Sequence, residues 1–290
     1  MRKPIDDLVV YGNKNVKDVK KTSVVSPSAV NKIKITPTNS NTRILSGAQS
    51  FSYGQSSVSW QGKPGMAGGT TGGSMNLGLN SDRLRHQMVE RLKQKGITDT
   101  RVLAAMLVVP RHIFVDQGLA SRAYEDAALP IGFSQTISQP WIISRMLSIV
   151  CENRNPQKVL EIGAGCGYQA AVMAHLFPVV YSIERIKGLY DMAREHLRDL
   201  RLVSRVRLIF GDGMLGLPAY APFDAIVIAA AGMEIPSVLL HQLSVGGRLI
   251  APEGTSNQRL VLIERTGEAS WDRSELEAVR FVPLRSGIQS

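Results

Sequence analysis

Two cysteines in 290 residues, Cys151 and Cys166, are too few for a disulfide framework or a four-cysteine zinc site, so a reducing compartment is expected. No run of the sequence approaches the roughly 18 consecutive apolar residues of a membrane span, which argues against an integral membrane protein. Near the start there is no apolar stretch of the roughly seven residues that a secretory signal needs. The first part carries mainly Lys, with Asp6, Asp7 and Asp18, unlike the Arg-rich, acid-poor pattern of a transit peptide. A cytoplasmic location follows as the expectation. His86, His112, His175, His196 and His241 show no metal-ligand spacing with Cys or acids, so no metal is expected. No GxxxxGK followed by Ser or Thr is present, which removes a P-loop.

What the sequence does have is positive charge: a net +10 and a pI near 9.8. That balance invites a nucleic-acid or membrane-surface hypothesis. Its location says otherwise. Residues 1–80 hold ten Lys/Arg against three Asp, whereas residues 81–290 hold 24 Lys/Arg against 21 Asp/Glu. The N-terminal stretch has only short apolar pieces such as Leu8-Val9-Val10, and it ends in the linker-like Gly68-Gly69-Thr70-Thr71-Gly72-Gly73-Ser74. Residues 1–80 therefore read as a disordered basic extension, with a tether for nucleic acid or an acidic surface, or a targeting peptide, as the functional alternative. Residues 81–290 read as the folded domain.

From Ser81 the texture changes. Ser81 is placed to cap a helix with Leu84, Met88 and Leu92 at every fourth position and Gly96 as its stop. A second helix runs from about Asp99 to Val109 and ends at Pro110. Residues 124–140 read as irregular, followed by a helix from near Trp141. Strand and helix then alternate: strands at Lys158–Ile162, Val179–Glu184, Arg205–Phe210, Asp224–Ala230 and Gly247–Ala251, with helices at Tyr168–Leu176, Gly188–Leu200 and Ile235–Leu243. This order predicts an α/β fold, a doubly wound, mostly parallel sheet with an N-terminal helical and loop subregion. Arg259–Arg265 and Glu277–Leu284 are expected as a late antiparallel strand pair.

Val159-Leu160-Glu161-Ile162-Gly163-Ala164-Gly165-Cys166-Gly167 places a glycine turn directly between a strand and a helix. Ligands of doubly wound sheets bind beyond the strand ends, where glycines let them approach the backbone. The spacing is GxGxG, and Tyr168 stands where a dinucleotide GxGxxG continues, which disfavours a nicotinamide dehydrogenase. Glu184 closes the next strand, where an acid can accept hydrogen bonds from both hydroxyls of a ribose. Gly211-Asp212-Gly213 ends the third strand on the same sheet edge, and Asp212 is a candidate acceptor for an adenine amino group. Cys166, inside the turn, reads as a small turn residue. Arg198, Arg201, Arg205 and Arg207 read as a solvated surface.

Strand, GxGxG, helix, strand-end acid and Gly-Asp-Gly turn together resemble a class I S-adenosylmethionine-dependent methyltransferase. Ala128-Leu129-Pro130-Ile131-Gly132-Phe133-Ser134-Gln135-Thr136-Ile137-Ser138-Gln139-Pro140 resembles, more narrowly, the signature of the protein-L-isoaspartate O-methyltransferases. Tyr181–Arg185, Ala221–Ile226 and Val279–Leu284 fit the same family, its bacterial members included, and the similarity runs from about residue 82 to 285. Departures are small: Ser134 stands where the family often has Gly, Ala164 and Cys166 where Thr and Ser are common, and Trp141 where a smaller aromatic is frequent.

The resemblance implies methyl transfer from S-adenosylmethionine to the free α-carboxylate of L-isoaspartyl residues in damaged proteins, and repair through a succinimide. A carboxylate with a pKa of about 3.5 is already ionised at neutral pH, so the reaction calls for positioning and desolvation rather than a general base. By the resemblance, Ser138 binds or orients the substrate carboxylate and Thr136 supports it. Gly163, Gly165, Gly167, Glu184, Asp212 and Gly213 are the expected cofactor-binding residues. Isoaspartyl peptides and proteins are the expected partners, with neither membrane nor nucleic acid, and the chain is expected to be a monomer. The alternative is a methyltransferase acting on RNA or another substrate. Against it, the place after the fourth strand reads Ala229-Ala230-Ala231-Gly232 rather than the Pro-Pro-aromatic motif of adenine-amino methyltransferases, and neither Cys follows a Pro as in cytosine-ring enzymes.

Overall fold

A computed structural model describes residues 73–290. Most of the basic extension expected over 1–80 lies outside the described residues. The first helix, α1 (Gly73–Gln94), begins eight residues before Ser81, so Ser81 sits within it and is not its cap. No proline interrupts this stretch, and the helix runs back through Gly78 to Gly73 despite the low helix propensity of glycine. The far end is as expected: Gly96 takes φ +91°, and the amides of Gly96 and Ile97 close on the carbonyls of Lys93 and Leu92. In α2 (Thr100–Val108) the Asp99 carboxylate caps the amides of Arg101 and Val102.

The stretch expected to be irregular contains a hairpin. β1 (Leu129–Gly132) and β2 (Gln135–Ile137) pair antiparallel around Phe133 and Ser134, with φ of +52° and +56°. Two left-handed residues in a two-residue loop match the right-handed strand twist. Pro140 then occupies the first turn of α3 (Pro140–Cys151), where its missing amide leaves no bond unmade.

The remaining strands form one sheet: β3 (Lys158–Ile162), β4 (Val179–Glu184), β5 (Val206–Phe210), β6 (Phe223–Ile228), β7 (Leu243–Glu253), β8 (Gln258–Gly267) and β9 (Ser270–Val279). Their order is β5-β4-β3-β6-β7-β8-β9, parallel from β5 through β7 and antiparallel from there. Helices α4 (Tyr168–Ala174), α5 (Lys187–Asp199) and α6 (Ser237–His241) follow β3, β4 and β6. The central strands are buried on both faces. Along β3, Val159 joins the core that holds α2, α3 and α4, while Leu160 and Ile162 join the core on the other side.

The last strand departs from expectation. β9 is the polar run Ser270–Val279 rather than Glu277–Leu284. It is an edge strand, and its charges both hide it from an apolar-run reading and keep the edge soluble. The apolar residues beyond it leave the sheet: Ala231 donates its amide to Val282 O at 2.8 Å, and Leu284 donates to Ala231 O at 2.8 Å. They thereby close over the end of β6. Among the described residues no helix is long and apolar enough to cross a membrane.

Candidate active site

The reversal of strand order at β3, with β4 on one side and β6 on the other, opens a crevice at the carboxyl ends of these strands. The glycine turn fills its floor. Gly163 and Ala164 donate their amides to Ile183 O at 2.9 and 3.0 Å, which ties the turn to β4. Gly165 donates to Glu184 Oε2 at 2.8 Å, and Ile186 donates to Glu184 Oε1 at 2.8 Å. The turn and the strand-end acid are thus one hydrogen-bonded unit. Burial raises the Glu184 pKa above its ordinary value, against the lowering pull of these amides. His196 donates from Nδ1 to Cys166 O at 2.8 Å and pins the far side of the turn to α5.

The expected site residues do not all face one space. Thr136, Ser138, Gly163, Gly165, Glu184 and Gly213 line a common cavity over the glycine turn. Gly167 does not. It opens α4 with φ +88°, and a Cβ there would stand 3.1 Å from Ala193 Cβ and 3.2 Å from Ala193 Cα. Its observed role is the close approach of α4 and α5. Asp212 also stays outside the cavity lining: its carboxylate accepts the amides of Met214 at 2.9 Å and Gly287 at 2.6 Å. Each oxygen keeps a second lone pair for a ligand.

A second cavity lies against the first. It is lined by Gln139, Trp141, Ile142 and the segment Ala278–Val282, and it shares Thr136, Ser138, Ala229 and Val282 with its neighbour. Thr136 and Ser138 therefore form part of the wall between two spaces. No hydrogen bond engages either hydroxyl among the described residues. The backbone of this wall is held from behind, where Arg111 Nη2 donates to Ser138 O at 2.7 Å.

Several groups show what the site does not use. Burial pushes the thiols of Cys151 and Cys166 up to about 11, so both remain protonated and unreactive at neutral pH. Burial likewise pushes the Tyr168 phenol up to about 12. Among the described residues no group of three His, Cys, Asp or Glu is arranged to hold a metal. The arginines read as solvated surface are partly structural: Arg205 donates to Ala174 O at 3.0 Å and Arg207 to the Tyr181 hydroxyl.

Two residues of the site carry no assigned role in the sequence reading. Glu161, on β3 beneath the turn, has no exposed surface; it accepts from the Ser182 hydroxyl, and burial pushes it up to about 7. Its signal is a single acid inside an apolar strand. Arg111 is equally buried, and its only signal is a charge within the apolar Val109-Pro110-Arg111-His112-Ile113-Phe114.

A family model for protein-L-isoaspartate(D-aspartate) O-methyltransferases matches residues 83–289. The chain belongs to that family. A protein-L-isoaspartate O-methyltransferase of Bordetella petrii is 67% identical over 256 residues, which cover 88% of this chain and 90% of the relative. One from Burkholderia ambifaria is 58% identical over 213 residues, covering 72% and 68%. Among solved structures, a protein-L-isoaspartate O-methyltransferase aligns with a TM-score of 0.64 at 27% identity over 71% of this chain and 67% of its own. A Plasmodium falciparum structure of the same description, in complex with S-adenosyl-L-homocysteine, aligns with a TM-score of 0.62 at 25% identity over 69% and 98%. The family read from Gln135–Pro140 and the glycine turn is thus the family found, and its methyltransferase fold is the fold observed. The matched region starts beyond α1's opening turns and spans all of the crevice.

Proposed function

We propose that the chain methylates the free α-carboxylate of L-isoaspartyl residues with S-adenosylmethionine, and that the shared wall of Thr136 and Ser138 is where the two reactants meet. The observation that carries this reading is the pair of adjoining cavities: one over the glycine turn and Glu184, the other open beside Trp141 and Arg280, with the two hydroxyls between them.

The cofactor cavity fits its ligand on features of its own. Glu184 is 4% exposed, carries both oxygens on backbone amides, and makes no ion pair among the described residues. A buried carboxylate held in that way is an acceptor prepared for a neutral diol. Gly165 takes φ +56°, a conformation that side chains rarely adopt, and a Cβ there would press on Ile131 Cδ1 at 3.2 Å. When bound, S-adenosylmethionine supplies a sulfonium methyl, which is electrophilic without help from acid or metal. Gly163, Gly165 and Gly213 would give it close backbone approach, Glu184 would accept from the ribose hydroxyls, and Asp212 would accept from the adenine amino group.

Ser138 Oγ donates a hydrogen bond to one oxygen of the substrate carboxylate and leaves the other free to attack in line. Thr136, on the same wall, fixes the angle of approach. The reacting carboxylate is already ionised, so the site carries no general base. Protein or peptide substrates enter from the second cavity. The enzyme acts in the cytoplasm, as a monomer and without a metal.

The test is to incubate the chain with labelled S-adenosylmethionine and an isoaspartyl peptide beside its aspartyl twin. Base-labile ester on the isoaspartyl peptide alone is the expected result; methylated RNA, or no transfer, overturns the reading. In the same assay Ser138→Ala is expected to lower kcat by about 100-fold, the scale of losing the orientation of the attacking oxygen, with cofactor affinity nearly unchanged. Equal loss of both would assign Ser138 to cofactor binding instead.

Residues 1–72 stand outside the catalytic unit in this reading, because the family match begins beyond them, at residue 83. Their removal is expected to leave kcat/KM for the isoaspartyl peptide within about twofold. A larger loss would place part of the extension in the site.

A further inference from the structure

Behind the Ser138 wall lies a charge that the fold alone does not explain. Arg111, just after Pro110, is 0% exposed. Its Nε donates to Ala123 O at 2.7 Å and its Nη2 to Ser138 O at 2.7 Å. The guanidinium carbon sits 4.8 Å from the centroid of the Tyr168 ring, whose residue lines the cofactor cavity. The remaining nitrogen, Nη1, is buried without a hydrogen-bond partner. Among the described residues no carboxylate lies within ion-pair distance. Asp126, the acid that acts on it through space, is committed to Lys95 at 2.5 Å and to the Trp141 amide at 2.9 Å.

An unpaired cation in a protein interior is among the most costly groups a fold can carry. A neutral amide side chain could donate to the Ser138 carbonyl without that penalty. The charge itself therefore calls for a partner, and two residues it touches, Ser138 and Tyr168, line the cavity on their other side. At 0% exposure the charge is screened less than a surface charge would be.

We propose that Arg111 is a substrate-positioning residue: it anchors the Ser138 loop by its carbonyl and supplies the fixed positive charge that draws the isoaspartyl α-carboxylate into the site. The inference rests on the reading of Ser138 given above. Standing behind the loop rather than against the substrate, the guanidinium attracts the carboxylate without donating a hydrogen bond to it. A direct ion pair would stabilise the anion and blunt its attack; a charge set back behind Ser138 favours binding and leaves the oxygen free. Its effect belongs in KM more than in kcat.

Two variants separate charge from anchoring. Arg111→Lys and Arg111→Gln both lose the forked donor, but only the first keeps the charge. With the isoaspartyl peptide and S-adenosylmethionine, Arg111→Gln is expected to raise KM at least about tenfold above that of Arg111→Lys. Both are expected to keep their affinity for S-adenosylhomocysteine. Equal KM values for the two variants, or parallel loss of cofactor and peptide affinity, would overturn the proposal and leave Arg111 a packing residue.

A second measurement needs no variant. In the presence of S-adenosylhomocysteine, which has no sulfonium charge, the unaltered enzyme is expected to bind the isoaspartyl peptide at least about tenfold more tightly than its α-carboxamide twin. Equal binding would mean that the attraction comes from the cofactor and would overturn the proposal even if neither variant folds. Failure of the Ser138 reading shows separately, as an unchanged kcat in Ser138→Ala.

Discussion

Gly167→Val is expected to lower the melting temperature of the enzyme by roughly 10 °C, the most damaging single change to the fold that we predict. Two penalties coincide at this position. Its φ of +88° is left-handed, a conformation that costs a β-branched residue about 1–2 kcal/mol or more. Its Cβ would also stand 3.1–3.2 Å from Ala193, a residue of α5 with no exposed surface. The atoms met there include backbone, which cannot rotate away, so α4 and α5 must part, and overpacking of that kind costs about 1–3 kcal/mol. Gly96→Val is the matched control. Gly96 has a similar φ of +91° but nothing within 4 Å of its would-be Cβ. It carries the strain without the crowding, and about half the loss is expected there. Thermal melts of both variants decide the matter: equal shifts would show that the helix approach at Gly167 is not tight.

Gly167 also marks the limit of what the glycine spacing can say. Three glycines at alternate positions between a strand and a helix announce a turn, and an acid at the end of the next strand announces a ligand's hydroxyls. Those signals are local, and the hydrogen bonds from Gly165 and Ile186 to Glu184 make the connection between them physical. Which glycine faces the ligand and which faces a helix depends on α5, some 26 residues away in Ala193, and no local pattern records it. The β1–β2 hairpin was hidden for a different reason. Its turn is Phe133-Ser134, both at positive φ, where a sequence reader looks for Asn or Gly. A bulky residue held there reflects support from outside the turn: the Phe133 ring packs over Gly188, where an added Cβ would lie 2.1 Å from it.

The same distinction separates Ser138 from Arg111. Ser138 stands out because it belongs to a contiguous run, Gln135–Pro140, that is specific to one family. Arg111 reaches Ala123 and Ser138, 12 and 27 residues on, and becomes visible only when the loop folds back over it. β9 shows the opposite case: the apolar run that resembles a strand, through Val282 and Leu284, is apolar because it closes over the end of β6. Elements defined by neighbours in sequence were legible, and elements defined by neighbours in space were not.

Glu184→Gln is expected to weaken S-adenosylhomocysteine binding by two to three orders of magnitude, about 3–4 kcal/mol. The wild-type carboxylate presents two acceptors to two amide donors, Gly165 and Ile186, each at 2.8 Å. A glutamine offers one oxygen and one NH₂, so one amide must face a donor; that mismatch destabilises the free fold as well and turns the side chain away from the geometry the hydroxyls need. The ribose hydroxyls also lose a charged acceptor, worth about 1.5–3 kcal/mol per bond. pH gives an independent reading of the same carboxylate. Burial raises its folded-state pKa above the ordinary 4.5, so the native protein holds the proton more tightly than the unfolded chain does. The ionised form therefore costs the empty fold stability above that ordinary value, and the cost is relieved as pH falls through the raised pKa. Ligand binding has the opposite sign. The hydroxyls donate to the ionised form, so affinity is full above the raised pKa and declines as pH drops through it. Calorimetry across that range is expected to show the decline in the wild-type enzyme and a flatter, uniformly weak profile in Glu184→Gln. A variant that binds within about threefold of wild type at neutral pH would remove Glu184 from the ribose site.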